Sequence, residues 1–125
     1  MLLDTSVWID YFQATEKGAA IKSSLENNEQ VYTCPLTVAE ISVWCCKNNK
    51  EVSEFVQLIK NLSKILDVSE DILIESGKIY SEQRKKNNKI SLIDCIIYAS
   101  AKIHGLLLLT KDNDFKNLEG VKFLG

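Results

Sequence analysis

Acidic residues in apolar surroundings are the clearest chemical signal in this sequence. Asp94 lies in the stretch "ISLIDCIIYASA", Glu40 lies in "LTVAEISVWCC", and Asp4 ends the opening "MLLD". A fourth acid, Asp112, follows the apolar run "LLLLT" after one lysine. Carboxylate oxygens are the ligands that hard divalent cations such as Mg²⁺ and Mn²⁺ prefer in proteins. Metal binding, or hydrolysis assisted by a metal, is therefore the first chemistry to consider.

Short strand-like runs alternate with helical patterns along the chain. The strand candidates are "MLLD", "QVYTC", "KILDV", "LLLLT" and "VKFL". Helices are predicted over 5–13, 15–28, 36–47, 51–63, 69–86 and 90–101. This alternation predicts an α/β three-layer sandwich with a mainly parallel central sheet of about five strands flanked by helices. The leucine run is typical of a strand that is covered on both faces.

The predicted sheet brings the four acids to one edge. In open parallel sheets, sites form in the crevice at the carboxyl ends of the strands. Asp4 ends the first strand, and Asp112 lies just beyond the fourth. Glu40 and Asp94 lie within the first turn or two of helices that begin near that edge. We therefore expect the four side chains to converge on one pocket.

Converging carboxylates need compensation. Two carboxylates about 5 Å apart repel each other by roughly 3 kcal/mol at an effective dielectric constant near 20. Basic partners, raised pKa values or a bound cation relieve such repulsion. The single arginine, Arg84, and the single histidine, His104, do not lie beside the acids, and Lys111 is the nearest basic neighbour. A Mg²⁺ or Mn²⁺ ion is the simplest compensation, and the all-oxygen set disfavours zinc.

Each acid alone also has an ordinary structural explanation. Glu40 or Asp94, near a helix start, can simply favour the helix dipole. Asp4 can cap the helix that follows it, and Asp112 in "KDND" can be a turn residue. The shared sheet edge, together with the apolar flanks of three of the four, is what favours a common site.

Three other acids are assigned to other places. Asp10, in "VWIDYF", is expected on the exposed face of the first helix. Asp67 is expected at the solvated end of a strand. Asp114 is an alternative to Asp112 as the fourth ligand, or a residue that supports it.

Composition fits one domain over residues 1–125. The 46% hydrophobic content is ordinary, and the formal net charge of −2 lacks the basic excess of most nucleic-acid binders, unless the basic groups cluster. Four cysteines form no C-x-x-C pair, and all four are predicted to be reduced and buried in a cytoplasmic protein. The sequence shows no signal-peptide pattern and no run of about 20 apolar residues that could span a membrane.

The chain resembles a PIN domain of the short toxin-type ribonucleases found in type II toxin–antitoxin pairs (VapC-like). The resemblance covers essentially the whole chain through "LLDTSVWID", "LTVAEI", "ISLIDCIIYASA" and "LLLLTKDNDF". It implies that Asp4, Glu40, Asp94 and Asp112 are catalytic and bind one or two Mg²⁺ or Mn²⁺ ions. It implies hydrolysis of RNA to 5′-phosphate and 3′-hydroxyl products, and we expect Asp94 or Asp4 to take the proton of the attacking water. The implied partners are RNA, a small antitoxin protein and a second copy of the chain.

Hydroxyl and basic residues complete the predicted site. The resemblance places Thr5, Ser6 and Thr110 in supporting roles, and Thr5 or Ser6 is also the expected N-cap of the first helix. The segment "RKKNNK" and the two lysines that bracket Asp112 predict a basic rim for phosphate contacts. The rim residues are Arg84, Lys85, Lys86, Lys89, Lys111 and Lys116. A solvated helix end explains any single one of these lysines equally well.

Other function classes also place acids at the edge of a parallel sheet. A phosphatase of the aspartyl-nucleophile type also begins on a strand-ending Asp, but it needs D-x-D-x-T where this chain has "DTSVW". A receiver-type phosphoacceptor needs paired acids after the first strand. A non-catalytic PIN-like module, in which the acidic pocket binds a metal or a basic peptide, is the alternative function. RNA cleavage that depends on the metal distinguishes the enzyme from this module.

Overall fold

The computed structural model describes residues 1–27 and 29–125, and this part of the chain forms a five-stranded sheet with helices on both faces. The strands are β1 (Leu2–Leu3), β2 (Tyr32–Thr33), β3 (Lys64–Ile65), β4 (Leu108–Thr110) and β5 (Val121–Phe123). The helices are α1 (Thr5–Phe12), α2 (Glu16–Glu26), α3 (Pro35–Lys47), α4 (Val52–Leu62), α5 (Glu70–Gln83) and α6 (Leu92–Ile103). A 3₁₀ turn, η1 (Asn113–Phe115), follows β4.

The strand order is β3-β2-β1-β4-β5, and each neighbouring pair is parallel. The predicted α/β fold with a central parallel sheet is thereby confirmed. Leu2 of β1 is in register with Tyr32 of β2 on one side and with Leu108 of β4 on the other. The strand order therefore reverses between β1 and β4, and a crevice opens at their carboxyl ends.

Both faces of the sheet are buried, which accounts for the leucine-rich β4. Leu2 and Leu108 face one core cluster, and Leu3 and Leu109 face the other, because successive residues of a strand point to opposite sides. The first cluster is completed by α5 and α6, and the second by α1, α2, α3 and α4. The sheet is thus the middle of three layers, and the carboxyl ends of its strands lead into the segments that carry the acids.

Asp4, and not Thr5 or Ser6, is the N-cap residue of α1. The chain leaves β1 with Asp4 still extended (φ −67°, ψ 157°), so the helix begins at the next residue. The Asp4 side chain makes no capping hydrogen bond to α1. The predicted N-cap position was wrong by one or two residues, and the correction leaves this carboxylate available to other partners.

The remaining differences from the predicted elements are local. Helix α5 ends at Gln83 and not near Lys86, because Lys86 N donates to Gln83 O at 2.9 Å in a tighter turn. Cys46 is exposed, contrary to expectation, because its neighbour Cys45 occupies the buried side of α3. All four cysteines are free. Residue 28, the predicted end of the second helix, lies outside the described residues. Of the helices described, none has the length and apolar character needed to cross a membrane.

Candidate active site

Asp4 is the buried anchor of the acidic site. It follows β1 directly, its backbone N–H donates to Leu109 O at 2.9 Å, and only 4% of the residue is exposed. Its Oδ2 accepts hydrogen bonds from Thr110 Oγ1 at 2.7 Å and from Ser6 Oγ at 2.8 Å. Neither hydroxyl donates to Oδ1, so the two hydroxyls leave that oxygen available to a further ligand.

The two hydroxyls are themselves oriented by the backbone that follows β4. Asp112 N donates to Thr110 Oγ1 at 3.0 Å, and Lys111 N donates to Ser6 Oγ at 3.2 Å. Because each hydroxyl oxygen accepts from a backbone N–H, its own proton is directed towards the Asp4 carboxylate. Ser6 and Thr110 therefore join the ends of β1 and β4 and fix the orientation of Asp4.

Glu40 lies in the second turn of α3 and is half-buried. Its Oε1 accepts a hydrogen bond of 2.6 Å from Thr5 Oγ1. Thr5 Oγ1 also lies 3.1 Å from Thr37 Oγ1, and Thr37 is fully buried. Sequence reasoning missed Thr37. Its position three residues before Glu40, on the same face of the helix, was the signal that could have identified it.

Asp94 is the third residue of α6, and it combines a capping role with a position in the acidic group. Ser91 Oγ accepts from Asp94 N at 3.0 Å, and Asp94 Oδ2 accepts from Ser91 N at 3.0 Å, so the two residues form a capping box. The interpretation of Asp94 as a helix-capping residue is therefore confirmed, but it accounts for only one of the two carboxylate oxygens. The box uses Oδ2 and leaves Oδ1 free to face the other acids.

Asp112 and Asp114 lie together at η1. Asp112 Oδ1 accepts from Asp114 N at 2.9 Å, which caps the turn. Asp94, Asp112 and Asp114 each offer an oxygen, and these oxygens lie within 4.8 Å of one another. Asp114 Oδ1 also accepts from Asn87 Nδ2 at 3.0 Å. The structure therefore places both candidates for the fourth ligand beside Asp94.

Comparison with known proteins identifies the family. The sequence profile of the family described as "PIN domain" matches residues 1–121. The chain belongs to the PIN domain family. It is 27% identical to "Ribonuclease VapC1" of Rickettsia felis over 130 residues, which cover 99% of this chain and 94% of that protein. It is 30% identical to "Ribonuclease VapC1" of Methanocaldococcus jannaschii over 125 residues, which cover 100% of this chain and 83% of that protein.

A solved structure is similar to this chain over nearly its whole length. A chain of a "Toxin-antitoxin complex from Klebsiella pneumoniae" superposes with a TM-score of 0.74 at 30% sequence identity. The match covers 97% of this chain and 94% of that one. The likeness therefore extends over the complete sheet and the helices that deliver the acids.

Burial, with a further contribution from neighbouring carboxylates, raises the pKa values of Asp4, Glu40 and Asp112. Burial is the main cause of the raised pKa of Asp4, and Asp94 adds to it. Burial is also the main cause for Glu40, and Asp4, Asp94 and Asp112 raise its pKa further. The pKa of Asp112 is raised by burial, then by Asp114, Asp94 and Asp4. Four acids from distant segments therefore lie near enough to interact electrostatically, and the oxygens within 4.8 Å of one another belong to Asp94, Asp112 and Asp114. An all-oxygen donor set of this kind fits a hard divalent cation.

The structure corrects the predicted exposure of Asp10. Asp10 was expected to be exposed, but only 3% of the residue is accessible. Its Oδ1 accepts a charge-assisted hydrogen bond of 2.7 Å from Lys111 Nζ, which explains how a carboxylate is accommodated there. Lys111 was predicted to contact RNA. Its ammonium group forms an ion pair with Asp10, and its contact with RNA stays a prediction.

Arg84, the first residue of the predicted basic rim, is also engaged within the chain. Its Nη1 donates to Tyr80 Oη at 3.0 Å and to Ile90 O at 3.2 Å. Its guanidinium lies 5.3 Å from the centre of the Tyr80 ring. These contacts close the loop between α5 and α6, so Arg84 has a structural position in this PIN domain.

The other rim lysines are more available. Lys85, Lys86 and Lys89 are exposed, and the ion pairs of the described residues do not include them. The hydrogen bond from Asn87 to Asp114 ties their segment to the acidic pocket. Separately, Lys116 Nζ lies 5.5 Å from the centre of the Phe123 ring. The basic segment before α6 is therefore held beside the acids, and sequence reasoning had not identified the asparagine that holds it.

Proposed function

We propose that this PIN domain is a metal-dependent endoribonuclease that hydrolyses RNA phosphodiester bonds and acts as the toxin of a toxin–antitoxin pair. The observation that carries the proposal is the convergence of four acids at the β1–β4 crevice, with the central one oriented by two hydroxyls. The relatives named as ribonucleases cover nearly the whole chain. The pairing with an antitoxin is supported by the similar chain in a toxin–antitoxin complex.

The metal ligands we propose are Asp4, Glu40, Asp94 and Asp112, with Asp114 as the alternative or supporting fourth ligand. The ion we propose is Mg²⁺ or Mn²⁺. When bound, such an ion polarises a phosphate oxygen and lowers the pKa of a water molecule at the site. The mutual repulsion of these acids makes the pocket a favourable place for a doubly charged cation.

The chain's own groups have distinct tasks in this proposal. Ser6 and Thr110 hold one oxygen of Asp4, so that its other oxygen faces the pocket. Thr5 does the same for Glu40 through Oε1. Asp94 or Asp4 accepts the proton of the attacking water, since each keeps an oxygen outside the hydrogen bonds described above. The leaving group is the 3′ oxygen, which gives a 5′-phosphate and a 3′-hydroxyl.

The substrate's phosphates need positive charge beside this acidic pocket. We propose that Lys85, Lys86 and Lys89 provide it, because they are exposed and their segment is tied to Asp114 through Asn87. Contacts of this kind bind the backbone and do not read the sequence. They therefore account for RNA binding, while the sequence at which the RNA is cut depends on other contacts.

Metal dependence is the direct test of the enzyme. We expect the purified protein to cleave single-stranded RNA with Mn²⁺ or Mg²⁺, and to lose cleavage in excess chelator until the ion is restored. The measurement is gel analysis of end-labelled RNA, with ligation of the products to confirm the 5′-phosphate. Cleavage that persists in chelator contradicts the metal mechanism. A melting temperature raised by Mg²⁺ without cleavage of any RNA indicates the non-catalytic module.

The toxin assignment has a separate test. We expect a small partner protein to co-purify with the chain from its native host and to suppress RNA cleavage until it is removed. We also propose that the chain associates into a homodimer and acts in the cytoplasm, where its RNA substrate is found. Size-exclusion chromatography with light scattering measures both assemblies. Full cleavage activity in the presence of each co-purifying protein contradicts a toxin role and indicates a housekeeping nuclease.

A further inference from the structure

Lys111 contacts α1 at two places. Its backbone N–H donates to Ser6 Oγ at 3.2 Å near the start of the helix, and its ammonium donates to Asp10 Oδ1 at 2.7 Å near the end. Lys111 is also the residue between β4 and Asp112. The segment that carries Asp112 is therefore fastened to the helix that begins beside Asp4.

The Asp10–Lys111 ion pair differs from the other ion pairs of the described residues. The Asp10 side chain is 4% exposed, whereas the side chains of the Lys22–Glu26 pair are 60% and 52% exposed. The Lys102–Glu75 pair is 56% and 29% exposed. Exposed pairs contribute little, but a buried carboxylate requires its partner. The position of Lys111 is therefore strongly determined by Asp10.

We propose that the Asp10–Lys111 pair is a positioning element of the catalytic site, which holds Asp112 in place for the metal without touching the metal itself. This inference rests on the proposed function. The pair acts by restricting the backbone that joins β4 to Asp112, and so fixes where the Asp112 carboxylate lies. Released from Asp10, this segment would move, and Asp112 would meet the ion less often in the required geometry.

The test uses the full chain and the variants Lys111→Met and Lys111→Arg. We expect Lys111→Met to weaken Mn²⁺ binding, measured by calorimetry, by about tenfold or more, as loss of supporting contacts around metal ligands commonly does. Lys111→Arg keeps the charge and should retain most of the affinity. In an Asp112→Asn background, Lys111→Met should weaken Mn²⁺ binding no further, because the pair acts through Asp112. Lys102→Met, which breaks an exposed ion pair elsewhere, is the matched control.

Amide hydrogen exchange supplies a readout that needs no metal. We expect the amides of Asp112 and Asp114 to exchange about tenfold faster in Lys111→Met than in the wild-type chain, and not in Lys102→Met. If Lys111→Met fails to fold, the double variant Asp10→Asn/Lys111→Met removes the buried charge and keeps the test. The double variant should fold and still show both weak Mn²⁺ binding and fast exchange.

Other outcomes overturn the inference. Unchanged exchange at Asp112 shows that the pair does not restrain the segment. Weaker RNA cleavage with unchanged Mn²⁺ affinity assigns Lys111 to phosphate contact. An additional loss of affinity in the Asp112→Asn background shows that Lys111 acts by another route. Failure of the proposed function gives a distinguishable result. The wild-type chain would then not cleave RNA, while the difference in amide exchange between Lys111→Met and Lys102→Met would persist.

Discussion

Asp94→Asn should reduce metal-dependent RNA cleavage by more than about 100-fold while leaving the fold intact. Loss of a group that merely supports a metal ligand commonly costs 10- to 100-fold, and loss of a ligand's charge should cost more. The fold survives because an Asn side-chain oxygen can still accept the hydrogen bond from Ser91 N that closes the capping box. Cleavage rates of a labelled RNA at saturating Mn²⁺ and a thermal melt measure both effects.

The matched control for this variant is Asp71→Asn. Asp71 is an exposed acid in the first turn of α5, where it can favour the helix dipole as Asp94 does in α6. We expect Asp71→Asn to cleave RNA at the wild-type rate. An Asp94→Asn protein that cleaves like the wild type would show that this acid serves only as a cap. A protein that cannot fold would show that the charge itself maintains the helix start.

Asp4→Asn should raise the melting temperature of the metal-free protein and remove its cleavage activity. The substitution eliminates a charge that is 4% exposed and faces other carboxylates, while the amide oxygen can still accept from Thr110 and Ser6. No capping bond is lost, because the Asp4 side chain makes none to α1. For a domain of this size, each kcal/mol gained corresponds to about 4 °C, and we expect a rise of about that amount or more.

Calorimetry in chelator measures this rise, and Asp67→Asn, a change at an exposed acid, is the control. In saturating Mn²⁺ the wild type should instead have the higher melting temperature, because only its pocket keeps the full set of ligands. A melting temperature of Asp4→Asn equal to or below that of the wild type in chelator would show that repulsion at Asp4 does not destabilise the fold.

The difference in stability between metal-free Asp4→Asn and the metal-free wild type should depend on pH. The raised pKa values of Asp4, Glu40 and Asp112 mean that the folded chain binds more protons than the unfolded chain above about pH 4. The stability that these groups contribute is fully present below that pH and is lost as the pH rises through their folded values. The advantage of Asp4→Asn over the wild type should therefore be small near pH 4 and should grow towards pH 7. An advantage that is independent of pH would indicate a packing effect.

Sequence patterns predicted the fold and the convergence of acids because that information is local. An acid directly after an apolar run marks the carboxyl end of a strand, as Asp4 does after Leu3. An acid in the first turn of a helix marks the start of that helix, as Asp94 does with Ser91. Once the alternation of strands and helices indicates a parallel sheet, its geometry brings these positions to one edge.

The parts that sequence reasoning missed depend on distant contacts. Asp10 and Lys111 are separated by 101 residues, and only the placement of α1 against β4 makes them partners. An acid in "VWIDYF" is equally compatible with an exposed helix face, so no local pattern reveals its burial. Arg84 differs, because Tyr80 lies four residues earlier on the same helix side, and that spacing was a local signal of their contact that the sequence analysis did not use.

The central position of β1 has a consequence for synthesis of the protein on the ribosome. Asp4 is translated before Thr110, whose hydroxyl orients it, and 106 residues separate the two. The strand that completes the crevice, β4, is likewise made late. An incomplete nascent chain therefore carries the first acid without its support or its later partners. The crevice is therefore completed only after β4 has been synthesised and has left the exit tunnel.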